Sequence, residues 1–222
     1  MPRPLETKDL VKMIEMNSDH FAELNAALIS TAAIWGVKSS EESLIEIGDI
    51  LTAKGKLKSK WVLRSAISHN GINRELYTEH ASLIKYLEQY LDWRVINKIG
   101  ITNNGEFRSL DPNSKLFLDP NNQPFKFFRR SASDSSKANL QPAGMNNYFK
   151  KLIKNSCITG VTYKDFRHSL AIRMHRDGNG TPRIKKSIMV YLGIRSYDAL
   201  MKILNADPKK MHELVKGIYN RI

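Results

Sequence analysis

With 222 residues, 41% of them apolar, the chain can bury a proper core, which excludes a globally disordered protein. Lys and Arg outnumber Asp and Glu by 13, a surplus that points to an acidic partner, nucleic acid rather than a membrane surface. The single cysteine, Cys157, excludes an intramolecular disulfide and a zinc cluster, and no apolar run is long enough to span a bilayer.

Thr7 reads as the N-cap of a helix to about Met16, with Leu10, Val11 and Ile14 on one face. A second helix starts at Ser18 or Asp19. Phe21, Leu24, Leu28, Ile29, Ala32 and Ile34 make it apolar enough to be buried, and Gly36 ends it. Ser39-Ser40-Glu41-Glu42 opens a short helix, because Ser caps and acids suit its positive end. Trp61, Leu63, Ala66 and Ile67 lead to His69-Asn70-Gly71, a hairpin signal, with Asn73 to Thr78 as the returning strand. Glu79 to Val95 is an amphipathic helix with Leu83, Leu87, Tyr90 and Leu91 inward.

Residues 97–141 carry repeated Asn-Gly, Asp-Pro-Asn and Ser-rich signals and read as a long irregular excursion. Helices resume at about 142–155, 163–176, 182–191, 196–204 and 208–220; Pro208 suits a first helical position. Helices, a small antiparallel sheet, then helices again predict an α+β fold, mainly α, as one domain over residues 1–222. The six histidines are scattered and no carboxylates join them at ligand spacing, so no metal or cofactor is expected.

Two stretches carry chemistry: Lys164-Asp165-Phe166-Arg167-His168-Ser169 on one helix, and Leu192-Gly193-Ile194-Arg195-Ser196 shortly after it. With Gly36-Val37-Lys38-Ser39-Ser40-Glu41 upstream and the hairpin ahead of a long helix, they resemble the catalytic domain of the tyrosine recombinase (phage integrase) family. The resemblance covers nearly the whole chain. It implies a helical domain with a small sheet, and it implies that the separate N-terminal core-binding domain of full recombinases is missing.

In that family a tyrosine attacks a DNA phosphodiester, two arginines and a His or Trp balance the charge, and a hairpin lysine protonates the leaving oxygen. Carried over residue by residue, Lys38 takes the first arginine's place and Glu41 keeps the acid. His69 falls at or near the hairpin lysine. Lys164 takes the first histidine's place, and Arg167 matches the second arginine. Ile194 occupies the His/Trp position. The nucleophile's position, about nine residues on, falls on Ile203. Lys38 lacks the bidentate fork, and neither isoleucine can donate or attack. Tyr219 on the last helix is the fallback nucleophile, and Tyr197 is expected to pack against the core.

The implied protein binds duplex DNA without cutting it, as a regulatory or architectural factor or a partner of an active recombinase. The alternatives are an active recombinase with a displaced tyrosine such as Tyr219, and a protein-interaction module on a relic fold. Lys38, His69, Lys164, Arg167 and His168 would floor the DNA face, continued by Arg183, Lys185 and Lys186. Lys54, Lys56, Lys58 and Lys60 alternate ahead of the hairpin and, if extended, form a phosphate rail. Arg129 and Arg130 in the Ser-rich segment are further candidates. The resemblance also implies self-association through the C-terminal helix, about 208–222, and a cytoplasmic protein in a bacterial nucleoid, plasmid or phage setting.

Overall fold

The computed structural model describes residues 4–129 and 140–204. The expected helix at 208–222, Tyr219, Arg130 and most of the Ser-rich segment lie outside the described residues.

The chain begins with α1 (Thr7–Glu15) and α2 (Ala22–Ile34). The N-cap of α1 is Glu6, not Thr7. Its amide is taken by Asp9 Oδ2 at 2.8 Å, so a carboxylate closes the first turn where a hydroxyl was expected. The α1 register differs too: Met13 is buried, while Val11 is exposed. Helix α2 starts at Ala22, three or four residues later than its Ser-Asp signal, because Phe21 sits in the left-handed region at φ 55°. Every residue from Leu24 to Ala33 is buried, the pattern of a central helix wrapped on all sides, here by α5, α1 and α7.

Two short helices follow, α3 (Ser39–Glu42) and α4 (Ile47–Ile50), then strands β1 (Lys60–Leu63) and β2 (Arg74–Tyr77). The strands pair antiparallel with Leu63 opposite Arg74, and Trp61, Leu63, Arg74 and Leu76 face inward. The hairpin is not a tight Asn-Gly turn. Residues 64–73 form a wide loop that makes its own turns, with the Ile67 and Ser68 amides donating to the Arg64 carbonyl. Ala66 and Ile67 are therefore loop residues. Trp35, just past α2, meets Trp61 edge-on at 4.8 Å, and its Nε1 donates to the Tyr77 carbonyl at 3.1 Å. These contacts pin the hairpin to the end of α2.

Helix α5 (Ala81–Ile96) buries Leu83, Leu87, Tyr90 and Leu91 as read. It also buries Arg94 completely. The Arg94 guanidinium donates to the carbonyls of Ile99, Lys115 and Leu116 and to Ser114 Oγ. It thereby supplies donors that an irregular backbone lacks. The described part of the excursion before β3 is therefore built in, and Leu110, Leu116, Phe117 and Phe125 join the core. The excursion ends in a short ladder of β3 (Phe128–Arg129) with β4 (Leu140–Gln141).

The second half holds α6 (Ala143–Asn155), α7 (Tyr163–Asp177), α8 (Pro182–Leu192) and α9 (Tyr197–Leu204). Ala171, Ile172, Ile188, Leu192, Leu200 and Leu204 form a second apolar cluster among α7, α8 and α9. Tyr191 packs against both clusters and donates its hydroxyl to the Ile34 carbonyl at 3.1 Å. Among the described residues no helix is long and apolar enough to cross a membrane.

Candidate nucleic-acid interface

Three segments far apart in sequence meet beside α2: the turn from Gly36 into α3, the hairpin loop, and the turn from α8 to α9. Gly36 is left-handed at φ 59°, and a Cβ there would lie 2.6 Å from the Leu192 side chain, so only glycine lets the turn close on α8. Beyond it, the Glu41 carboxylate caps the start of α3 by accepting from the Lys38 amide at 2.7 Å.

Glu41 is fully buried and accepts from two of the three segments and from β2. Oε1 accepts from the His69 amide at 3.0 Å and lies 2.7 Å from His69 Nδ1, while Oε2 accepts from Arg74 Nη2 at 2.7 Å. Burial alone would raise this carboxyl. The His69 bond, the Arg74 charge and the His69 and Lys38 amides carry it down to about 2 instead. The hairpin tip is latched on the other side: Asn70 Nδ2 donates to the Gly193 carbonyl at 3.1 Å, and Arg195 donates to the Asn70 carbonyl.

Arg167 enters from α7 and is buried. It donates to the carbonyls of Gly36 (2.8 Å) and Leu192, so it joins the first and last segments. Desolvation and the nearby Arg74 cation push it down to about 10, with Glu41 opposing. Lys38 stands exposed at the start of α3. Desolvation and the Arg167 guanidinium hold its ammonium below the ordinary value, again against Glu41. Three cations thus crowd one carboxylate.

Arg167 and Lys38 open on a cleft of about 550 Å³ between α3, α6 and α7, which Lys164, His168, Asn146 and Lys150 also line. Burial lowers His168, Asp165 pulls it back, and Lys164 and Arg167 lower it further. Such a cleft offers fixed positive charge and donors to an anion.

The structure brings Lys38, Lys164, Arg167 and His168 to one cleft. His69 is held to Glu41 behind it and does not line it. Arg183 and Lys186 lie on a separate groove of about 1090 Å³ between the hairpin and α8. Lys185 faces Tyr197, with its Nζ 5.9 Å from the ring centre. The four alternating lysines form no single rail, because the chain turns sharply at Gly55 (φ 75°). Lys58 is turned in to the carbonyls of Gly48 and Asp49, and Lys60 pairs with Glu75 at 2.7 Å. Arg129 is placed by its backbone in β3.

Ile194 and Ile203 are half-buried and pack against the second apolar cluster. Tyr197 does not pack into the core as expected; at the first residue of α9 it is 52% exposed and lies beside Lys185. Tyr163 lines the cleft, but its hydroxyl points inward and donates to Glu42 Oε2 at 2.5 Å. Burial and Glu42 raise that phenol well above its ordinary value.

Two residues escape a sequence reading. Arg74 carries a signal in hindsight: it occupies an inward position of β2, two before buried Leu76, where a cation requires a buried partner. Glu42 carries none, since Glu41-Glu42 reads as an ordinary acidic first turn.

No protein-family model and no curated protein matches the sequence. The structure is similar to that of XerA recombinase over 98% of this chain and 65% of that one, with a TM-score of 0.67 and 20% identity. It is similar to XerH site-specific recombinase, solved bound to its palindromic difH substrate, over 96% and 52%, with a TM-score of 0.61 and 15% identity. A lambda integrase dimer bound to a COC′ core site matches over 91% and 48%, with a TM-score of 0.56 and 14% identity. The chain spans about half to two thirds of the length of these proteins. At such identities the likeness is one of fold, and the fold is that of the tyrosine recombinase catalytic domain.

Proposed function

We propose that this chain holds duplex DNA by its phosphate backbone at the cleft of Lys38, Lys164, Arg167 and His168, and does not cut it. The observation that carries the reading is the charge imbalance at the junction. Lys38, Arg74 and Arg167 gather around the single carboxylate of Glu41, and the surplus opens toward the cleft. A phosphate diester supplies the missing negative charge, and Arg167 supplies planar donors to it. Lys38 and Lys164 add point charge, which gives affinity and salt dependence without base choice. The similar XerH and lambda integrase structures were solved on DNA, which agrees with this reading.

Strand cleavage needs a nucleophile beside the held phosphate. Among the described residues, the expected position is Ile203 and the expected donor is Ile194. Tyr163 keeps its hydroxyl on Glu42, and Tyr197 lies exposed beside Lys185. The chain then acts as a regulatory or architectural factor on DNA, alone or beside an active recombinase, with the segment after Leu204 available for self-association.

A nicked suicide substrate tests the second half of the reading. DNA is expected to be retained by the protein with no adduct surviving denaturation. A covalent adduct lost on Tyr219→Phe would instead establish an active recombinase with a displaced nucleophile. Absence of duplex binding even at low salt would favour a protein-interaction role.

A further inference from the structure

Arg74 belongs to none of the motif segments, yet two of them meet on it. Its side chain is 2% exposed. Nη2 donates to Glu41 Oε2 at 2.7 Å, and Nη1 donates to the Tyr191 carbonyl at 3.1 Å. One guanidinium from β2 therefore ties the α3 turn to the C-terminal end of α8. It also explains Gly193: a Cβ there would lie 2.7 Å from Arg74 Cδ and 3.2 Å from its Nε. The Leu-Gly pair of the last motif thus makes room for an arginine on another element. Removing Arg74 would take from Glu41 its buried arginine partner and leave the last turn of α8 without its tether.

We propose that Arg74 is the positioning residue of the cleft: it fixes Glu41 and the Tyr191–Gly193 turn, and through them the placement of Lys38 and Arg167 against a phosphate. The proposal rests on the phosphate-binding reading and deepens it. Arg74 itself does not line the cleft. It acts through Glu41, which caps Lys38, and through the turn whose Leu192 carbonyl accepts from Arg167. Lys38, which has no guanidinium, stands at the arginine of the resembling motif, so the junction's second fixed guanidinium comes from β2.

The groups facing Glu41 are Lys38 at the start of α3, His69 on the hairpin loop, Arg74 on β2, and Tyr163 and Arg167 on α7, with Glu42 beside it. If Arg74 is removed, the burial that raises the Glu41 carboxyl is opposed by fewer partners. The carboxyl then titrates within reach of a binding assay.

The test is binding of a fluorescent random-sequence duplex from pH 5 to 8, with wild type, Arg74→Lys, Arg74→Met and the double variant Arg74→Met/Glu41→Gln. Thermal melts confirm that each is folded. Arg74→Met is expected to bind at least ten-fold more weakly at pH 8 and to recover affinity toward pH 5, as Glu41 takes up a proton. Arg74→Lys should recover part of the loss. The double variant should lack that extra pH dependence, which a merely structural role would not produce. Should Arg74→Met not fold, Arg74→Lys with Glu41→Gln as its partner variant gives the same comparison. Wild type that binds, beside an Arg74→Met that binds equally well or is weaker by the same factor at every pH, overturns this proposal alone. Wild type that binds no duplex overturns the phosphate-binding reading and this proposal with it.

Discussion

Glu42→Gln is expected to make the protein more stable than wild type at pH 8 and no more stable at pH 4.5. Glu42 is fully buried between α2 and α7. Burial raises its carboxyl to about 8, against the opposing bonds from Thr31 and Tyr163. The hydrogen bonds close around a neutral acid. Tyr163 donates to Oε2, and Oε1 lies 2.5 Å from Thr31 Oγ1, which is also 2.9 Å from the Ala27 carbonyl. One proton on Oε1, given to Thr31, lets Thr31 pass its own to Ala27, and no lone partner is left. The unfolded chain ionises Glu42 above its ordinary 4.5. The stabilising contribution is therefore complete below that pH and is lost as pH rises through about 8. By linkage the loss reaches up to about 5 kcal/mol. Glutamine keeps an acceptor for Tyr163 and a donor for Thr31 without titrating. Melting curves across this range should cross, with the variant ahead by at least about 5 °C at pH 8, given about 2–4 °C per kcal/mol at this size. Parallel curves would mean that Glu42 is charged in the fold.

Glu41→Ala is expected to cost about 3–5 kcal/mol, the scale for removing one partner of a buried ion pair. It strands Arg74 and leaves the Lys38 and His69 amides without their acceptor. Its pH behaviour is the reverse of its neighbour's. With the folded carboxyl at about 2, below its ordinary 4.5, its contribution is present above 4.5 and is lost as pH falls toward 2. The wild-type advantage over Glu41→Ala in urea melts should therefore shrink in acid. A cost under about 1 kcal/mol at pH 7 would show that Glu41 is not the hub of the junction.

How much of this was legible depends on range. Arg167 was readable because Arg-His-Ser on a helix, a Leu-Gly turn and a Gly-x-Lys-x-x-Glu segment agree over separate stretches. Helices α5 to α9 followed from apolar spacing and punctuation at Pro142, Gly178 and Gly180. The hairpin was placed correctly but read too tight. Asn-Gly signals a turn, and nothing local shows that residues 64–69 turn on Arg64 first. The excursion read as irregular, and what orders its described part is Arg94, which lies on a helix before it. Arg74 and Glu42 were missed for the same reason. Each is an ordinary polar residue until elements more than 100 positions apart close on it. The lysine run shows the opposite error: period-two spacing has meaning only in extended chain, and Gly55 turns it.

The central claim, a phosphate-holding cleft on a recombinase fold, is tested most directly by duplex DNA binding across a salt series. Wild type is compared with Lys38→Gln, Lys164→Gln and Arg167→Ala. The account predicts that affinity falls steeply with salt, and that each substitution weakens binding and lowers the log–log slope by about one. Wild-type binding whose slope and affinity are unchanged in all three variants would contradict it, because the phosphates would then be held on another face.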